Sequence, residues 1–426
     1  MNWRILILMS TNMMFGIGYS MLEILFPLEA KKYGTSETTS GIIFSSISIP
    51  NIIIIPLVPY LSQKINKRLL FTTSTLIIII STIAFGLASL IKRKNIFEIY
   101  SFICRFSQGI GVAISQTMIY SFSVSLSENN KEINLYMGLM EFSFSLGQAI
   151  GPFYASFLYN IFNFTIPFFI LGFIVLFSLP LYYYINIQNS NDEISGFDFL
   201  KLILNLKIFL TFIALIIAMM ADIFYEPILE NYLIEKYNFS SLLVSLYFDI
   251  PVVTFFIAIY LINPFLEKYG TKFQITLSLL LMSISLSSIK LLTQNSILLI
   301  FQFIILGFSE APIIISSMED FLISLKEINK FSEEYSNDLA SSFFTFSVSL
   351  GATIGPIIGA YYSEKKGFDY SCFVISIISF FWFIVFGVGL FNFISIDFKN
   401  RNNYHNNIKD INCDNKENLI KEGEDS

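Results

Sequence analysis

FSFSLGQAIGP at residues 142–152 and FSVSLGATIGP at residues 346–356 are identical at eight of eleven positions and lie 204 residues apart. A match of that length within one chain points to a duplicated unit, so neighbouring segments should follow the same offset. They do: Lys64, Asn66 and Arg68 map onto Lys268, Gly270 and Lys272, and an offset of 203 carries Glu23 onto Glu226. A membrane helix needs about 20 mostly apolar residues to cross the hydrocarbon core. On that measure each copy holds six spans, near 5–26, 38–61, 69–91, 97–125, 133–160 and 166–185, then 208–233, 240–262, 271–292, 296–322, 339–362 and 370–394. The reading is an all-α membrane protein with twelve transmembrane helices in two pseudo-symmetric six-helix bundles.

Residues 1–185 and 208–394 make the two bundles. The polar stretch 186–207 reads as a cytoplasmic linker, and 395–426, rich in Asn, Lys, Asp and Glu, reads as a disordered cytoplasmic tail that is too polar to bury anything. An even span count brings both termini to one side, and the excess of Lys and Arg, which rests on Arg4 and the tail, assigns that side to the cytoplasm. The first apolar run exceeds twenty residues and lacks a small-residue cleavage site, so it reads as a span and not as a signal peptide.

Composition agrees and excludes several classes. The chain is 54% hydrophobic and only 14% charged, with a mean hydropathy of +0.66, which is too apolar for a soluble chain of 426 residues. A net charge of −6 spread over loops leaves no basic patch for nucleic acid. Cys104, Cys372 and Cys413 are scattered, without the spacing of a zinc site or a disulfide framework. The single histidine, His405, lies in the tail, which argues against a membrane-embedded hydrolase or desaturase. No metal, cofactor or enzymatic activity is expected.

Ionisable residues inside spans are expensive and usually functional. Asp222, Glu226 and Glu230 stand four residues apart and stack on one face of span 7. Like charges at that spacing repel, so they fit a span only if some are protonated or a cation sits among them. Glu226 is the principal candidate for binding protons or substrate, and Glu23 is its symmetry mate. Glu230 reads as an interfacial residue in water. Tyr225, beside Glu226, offers a ring face to an ammonium group. Arg105 in span 4 and Glu141 in span 5 map onto Ser309 and Thr345, so each charge exists in one half only. They sit in neighbouring spans and are expected to form a buried pair. Asp249 and Glu310 are further candidates, while Glu319 and Asp320, near a cytoplasmic end, read as solvated.

The run Gly138-x8-Gly147-x3-Gly151-Pro152 resembles the fifth-span antiporter motif of the major facilitator superfamily, with Ala155 and Ser156 in place of its last glycines. Two readings of it stand: a gate that bends at Pro152, or tight helix packing, which the related Gly351, Gly355 and Pro356 of span 11 also fit. Arg105-x2-Gln108-Gly109-x-Gly111 resembles the superfamily's arginine motif, and SQKINKR at 62–68 is a degenerate form of its basic loop. LFPLEAKKYGTSE at 25–37, the stretch GLMEFSFSLGQAIGPFYASFLY at 138–159, and Tyr225-Glu226-Pro227 followed by EKYNF are similar to the vesicular amine transporter family, and to its polyamine-transporting branch in particular. The charges of the monoamine branch are missing: the matching positions are Ile47, Ile315 and Thr345.

The resemblance implies a major facilitator fold and a proton-coupled antiporter of a small organic cation such as a polyamine, working as a monomer with protons and the lipid bilayer as its other partners. It favours the membrane of an acidic intracellular vesicle over the plasma membrane. An exporter of drugs or metabolites is the first alternative. A non-transporting scaffold or receptor is the second, and the ionisable groups of the spans argue against it.

Overall fold

The computed structural model of the protein describes residues 3–35, 39, 42, 43, 46–185, 198–239, 241–292, 296–328 and 330–389. Within its helices the side chains of Glu23, Pro227, Glu230 and Asp249 lie outside the described residues, and so do the expected tail and residues 186–197 of the linker.

In hydrocarbon a backbone must satisfy its own polar groups, and the helix does so within one segment. Span 1 is Trp3–Lys32, and span 2 is Ser48–Ile54 and Val58–Lys64 with a 3₁₀ turn, Ile55–Leu57, between them. Spans 3 to 6 begin with the helices Lys67–Gly86, Lys94–Ser125, Asn130–Ile161 and Thr165–Ser178. Span 7 is Leu206–Ile223 followed by Glu226–Tyr237, and spans 8 to 12 are Ser241–Tyr269, Thr271–Leu292, Ser296–Ile328, Glu333–Lys366 and Phe368–Gly389.

Side chains close the helix starts. Asn66, Asn129, Asn205 and Ser332 each accept a backbone N–H at the first turn of spans 3, 5, 7 and 11. Where the repeat replaces Asn66, Gly270 adopts a left-handed φ of 78° just before span 9. These five starts share the face of the molecule where the chain begins, here called the N-terminal face.

Two spans expected to be continuous are broken. Span 2 loses its regular ladder around Pro56 and Pro59, and span 7 breaks at Phe224 and Tyr225, where Pro227 has no N–H to offer. The linker also holds structure: Asp198–Ile203 is helical, and Phe199 is buried against Phe343 of span 11, ring centroids 4.8 Å apart.

Among the described residues eight helices are long and apolar enough to cross a membrane. Spans 4 and 5 fall outside that set because they carry more polar residues, and these turn inward: Arg105, Gln108, Ser115 and Asn134 are all buried. The two halves repeat one packing scheme. Span 1 lies along span 5 as span 7 lies along span 11, and span 3 meets span 4 as span 9 meets span 10. Spans 5 and 8, and spans 2 and 11, join the halves.

The duplicated glycines permit the closest of these contacts. A Cβ on Gly147 would stand 2.1 Å from the carbonyl oxygen of Met13 in span 1, and one on Gly351 would stand 2.7 Å from that of Ile216 in span 7. Gly151 meets Ser20 and Gly355 meets Met220 in the same way. Both runs are therefore packing seams of equivalent helix pairs. Gly147→Val should destabilise the fold by about 1–3 kcal/mol through overpacking. The check is a lower thermal midpoint by fluorescence-detected size exclusion, with Gly387→Val in span 12, where an added Cβ would come no closer than 3.8 Å to Thr276, as a comparison outside the seam.

Candidate substrate cavity

A cavity with an empty volume of about 1040 Å³ lies between the halves. Span 1 contributes Ser20 and span 5 contributes Glu141, Ser145 and Gln148; span 7 adds Asp222, Tyr225 and Glu226, span 8 adds Phe248 and Phe255, and span 10 adds Glu310. Four carboxylic side chains from three spans thus converge, and no lysine, arginine or histidine is among the described residues that line the cavity.

The break in span 7 places two of the acids. Asp222 ends the first segment and Glu226 opens the second, where it is exposed to the cavity. Between them Tyr225 is buried, its ring 5.4 Å from Phe303 and 6.1 Å from Phe248. Asp222 is close enough to Glu141 and to Glu310 for their charges to interact. Glu310 is only 2% exposed, and its Oε1 has no hydrogen-bond donor among the described residues. A buried carboxylate oxygen in that position is costly unless a proton or a cation satisfies it.

The expected Arg105–Glu141 pair does not form. Glu141 Oε1 accepts instead from the hydroxyl of Tyr120 at 2.6 Å. Arg105, fully buried, donates from Nη1 to Gln108 Oε1 at 2.7 Å, and Gln108 Nε2 donates to Thr82 Oγ1 at 3.0 Å. Span 4 directs Arg105 into the N-terminal bundle, where Gln108 and Thr82 border a smaller, mostly apolar cavity of about 500 Å³. Glu23, the symmetry mate of Glu226, lies outside the described side chains.

Glu319 and Asp320, expected in solvent, are buried as well. Glu319 accepts from Asn130 and Asn134 at 2.7 and 2.8 Å across the two halves, and Asp320 accepts from Thr211 and Thr271. The Glu319 bonds belong to a seam that closes the N-terminal face beneath the cavity. At its centre Lys67 Nζ and Asp338 pair at 2.9 Å with both side chains fully buried. Ser62 and Ser121 donate to the same carboxylate, each at 2.5 Å, and Asn337 donates to Ser125 at 3.1 Å. The degenerate basic loop therefore supplies the cation of this pair, Lys67. Neither Tyr120 nor Asp338 stands out in the sequence, since neither belongs to a motif; Glu310, with Pro312 two residues on, repeats the acid-and-proline pattern of Glu226.

Two six-helix halves, a cavity between them and a polar seam below it define a membrane transporter of the alternating-access type. The chain belongs to the Major Facilitator Superfamily, whose family model matches residues 8–322 and 211–392. It is 26% identical to the human MFS-type transporter SLC18B1 over 405 residues, covering 92% of this chain and 86% of that protein. It is 23% identical to the bovine synaptic vesicular amine transporter over 359 residues, covering 83% of this chain and 66% of that one. Its fold is similar to that of the human organic anion transporter MFSD10 (TM-score 0.72, 12% identity, 90% and 98% of the two chains) and of the E. coli fucose:proton symporter FucP (TM-score 0.69, 14% identity, 90% and 97%). The protein is a multi-pass secondary transporter of a small solute and not an enzyme.

The seam makes a direct prediction. Removing one partner of a buried, bonded pair costs about 3–5 kcal/mol. Cysteines at the Ser125 and Asn337 positions, in a Cys413→Ser background, should cross-link with a short bismaleimide in the parental protein. Adding Asp338→Ala should lower the cross-linking rate by more than about tenfold, because the closed arrangement loses that pair.

Proposed function

We propose that this transporter is a proton-coupled antiporter of an organic cation of the polyamine class, acting across the membrane of an acidic vesicle with its N-terminal face in the cytoplasm. The observation that carries the reading is the convergence of Glu141, Asp222, Glu226 and Glu310 on one cavity, with no basic side chain among the described residues of its lining. A carboxylate holds either a proton or an ammonium group, so alternate loading of these acids gives exchange in its simplest form. Several acids spread along a cavity also suit an extended cation with more than one ammonium. The similarity to the vesicular amine relatives supports the same class, and an anionic substrate would meet like charge throughout the cavity.

Each residue has a role in this reading. Glu226, first after the break in span 7, changes its surroundings as the two segments of that span move, and so exchanges its cargo between the two sides. Glu310 is the site most in need of a proton when the cavity is empty. Tyr225 presents its ring to an ammonium, and Arg105, through Gln108, keeps the N-terminal bundle polar behind the cavity. Residues 1–185 and 208–394 rock as two bodies about the cavity, joined through residues 186–207, and the glycine runs at Gly147, Gly151 and Pro152 and at Gly351, Gly355 and Pro356 keep each helix pair together as it moves.

The test is uptake of radiolabelled spermidine by proteoliposomes with an acidic interior. Glu226→Gln and Glu310→Gln keep shape and remove charge. Each should lower uptake roughly 30-fold or more, the loss of one desolvated charge pair of about 2 kcal/mol. Uptake that ignores the imposed pH gradient, or that survives both substitutions at the parental rate, rejects the mechanism.

A further inference from the structure

Two consecutive residues of span 4 reach two different sites. Tyr120, 2% exposed, donates to Glu141 at the cavity, and Ser121, fully buried, donates to Asp338 in the seam. Successive helix residues diverge by about 100°, so a single turn of span 4 touches span 5 on one side and span 11 on the other. The hydroxyl of Tyr120 is also fixed from behind. Gln116 Nε2 donates to it at 3.2 Å and to Asn12 Oδ1 at 3.2 Å, and Asn12 donates to the backbone of Met140, the residue before Glu141, at 2.8 Å. With Gln116 as its donor, the phenol directs its own hydrogen to Glu141. The Tyr120 ring lies edge-on against Phe344, with centroids 5.0 Å apart, and Phe344 stands on span 11 within two turns of Asp338.

We propose that Tyr120 and Ser121 are positioning residues that couple the occupancy of Glu141 to the opening of the seam at Asp338. The proposal rests on the reading of the cavity as the substrate site. When Glu141 is ionised and empty, its charge draws the Tyr120 hydroxyl at 2.6 Å and holds this turn of span 4 in place. A proton on that carboxylate, or an ammonium against it, neutralises the charge that strengthens the bond and so weakens it. Asp222, the other charged group near Glu141 among the described residues, adds a repulsion that either cation relieves. As Tyr120 is released, Ser121 shifts with it, because the two share one helical turn. Asp338 then loses one of the donors that complete its burial beside Lys67.

A thermodynamic cycle on the Ser125→Cys/Asn337→Cys cross-linking reporter tests this without any substrate. Glu141→Gln should slow cross-linking about tenfold in the parental background, the worth of one charge-assisted hydrogen bond. In a Tyr120→Phe background, which keeps the ring on Phe344, Glu141→Gln should change the rate by less than about twofold, because the coupling is gone. Ser121→Ala should mute the effect equally from the seam end while leaving the Tyr120 bond intact. A merely structural Tyr120 would leave the Glu141→Gln effect undiminished in both backgrounds. That result, or no effect of Glu141→Gln in the parental protein, overturns the proposal. A protein that shows the cycle but does not exchange spermidine rejects the proposed substrate and keeps the coupling; spermidine exchange without the cycle does the reverse.

Discussion

A charge inside a bilayer must find its partner within the protein, and this constraint organises the molecule. Water is absent from the hydrocarbon core, so an ionised side chain there costs about 2.5–3.5 kcal/mol or more unless a neighbour compensates it. Each described charge between the ends of the spans answers the constraint in its own way. Arg105 binds Gln108, Lys67 and Asp338 bind each other, and Asp320 draws on two threonines. Glu310 answers it only in part, with one oxygen left without a donor among the described residues, and the proposed function fills that shortfall with a proton or an ammonium group.

The constraint also explains how two copies of one design became a directional device. The glycine seams at Gly147 and Gly351 sit in equivalent positions and press span 5 onto span 1 and span 11 onto span 7 alike. Packing is symmetric because it serves the same purpose in both bundles. Charge is not. Asp222, Glu226 and Glu310 belong to the second half, and of the four acids among the described lining residues the first half supplies Glu141. The seam is uneven too: Asp338 meets a lysine, whereas Asn134, its counterpart at the offset of 204, is a neutral amide that donates to Glu319. Duplication set the frame, and departures from it carry the chemistry.

Close packing and open space depend on each other here. Where spans 1 and 5 approach within a glycine's width, little room remains for a ligand, so the cavity opens where the halves meet across the broken part of span 7. At the break Phe224 N–H still bonds the carbonyl of Met220, and the carbonyl of Tyr225 accepts from Ile228 and Leu229; Asp222 ends one segment, Glu226 opens the next, and both line the cavity. Below it, the hydrogen bonds between the halves gather at the N-terminal face, which seals one side while the cavity remains accessible to Glu226.

The sequence by itself determined the membrane-spanning class, the twelve spans, the duplication and the presence of acids in spans 5 and 7, because apolar length, repeats and charge in an apolar run are local properties that need no neighbour to be read. It also marked Pro227 as the weak point of span 7, since a missing N–H is covalent. Only the tertiary structure decided which acids share a cavity, for that depends on how each helix is rotated about its axis. Height along the bundle separates Arg105, which faces into its own bundle, from the Glu141 it was expected to bind: Glu141 meets Tyr120, fifteen residues or about 22 Å further along span 4. The same holds for Glu319 and Asp320, which a span's end would leave in water and which the other half and neighbouring spans cover. Lys67 and Asp338 stand 271 residues apart in the chain, and no local pattern records their contact. It exists because the two halves close on each other.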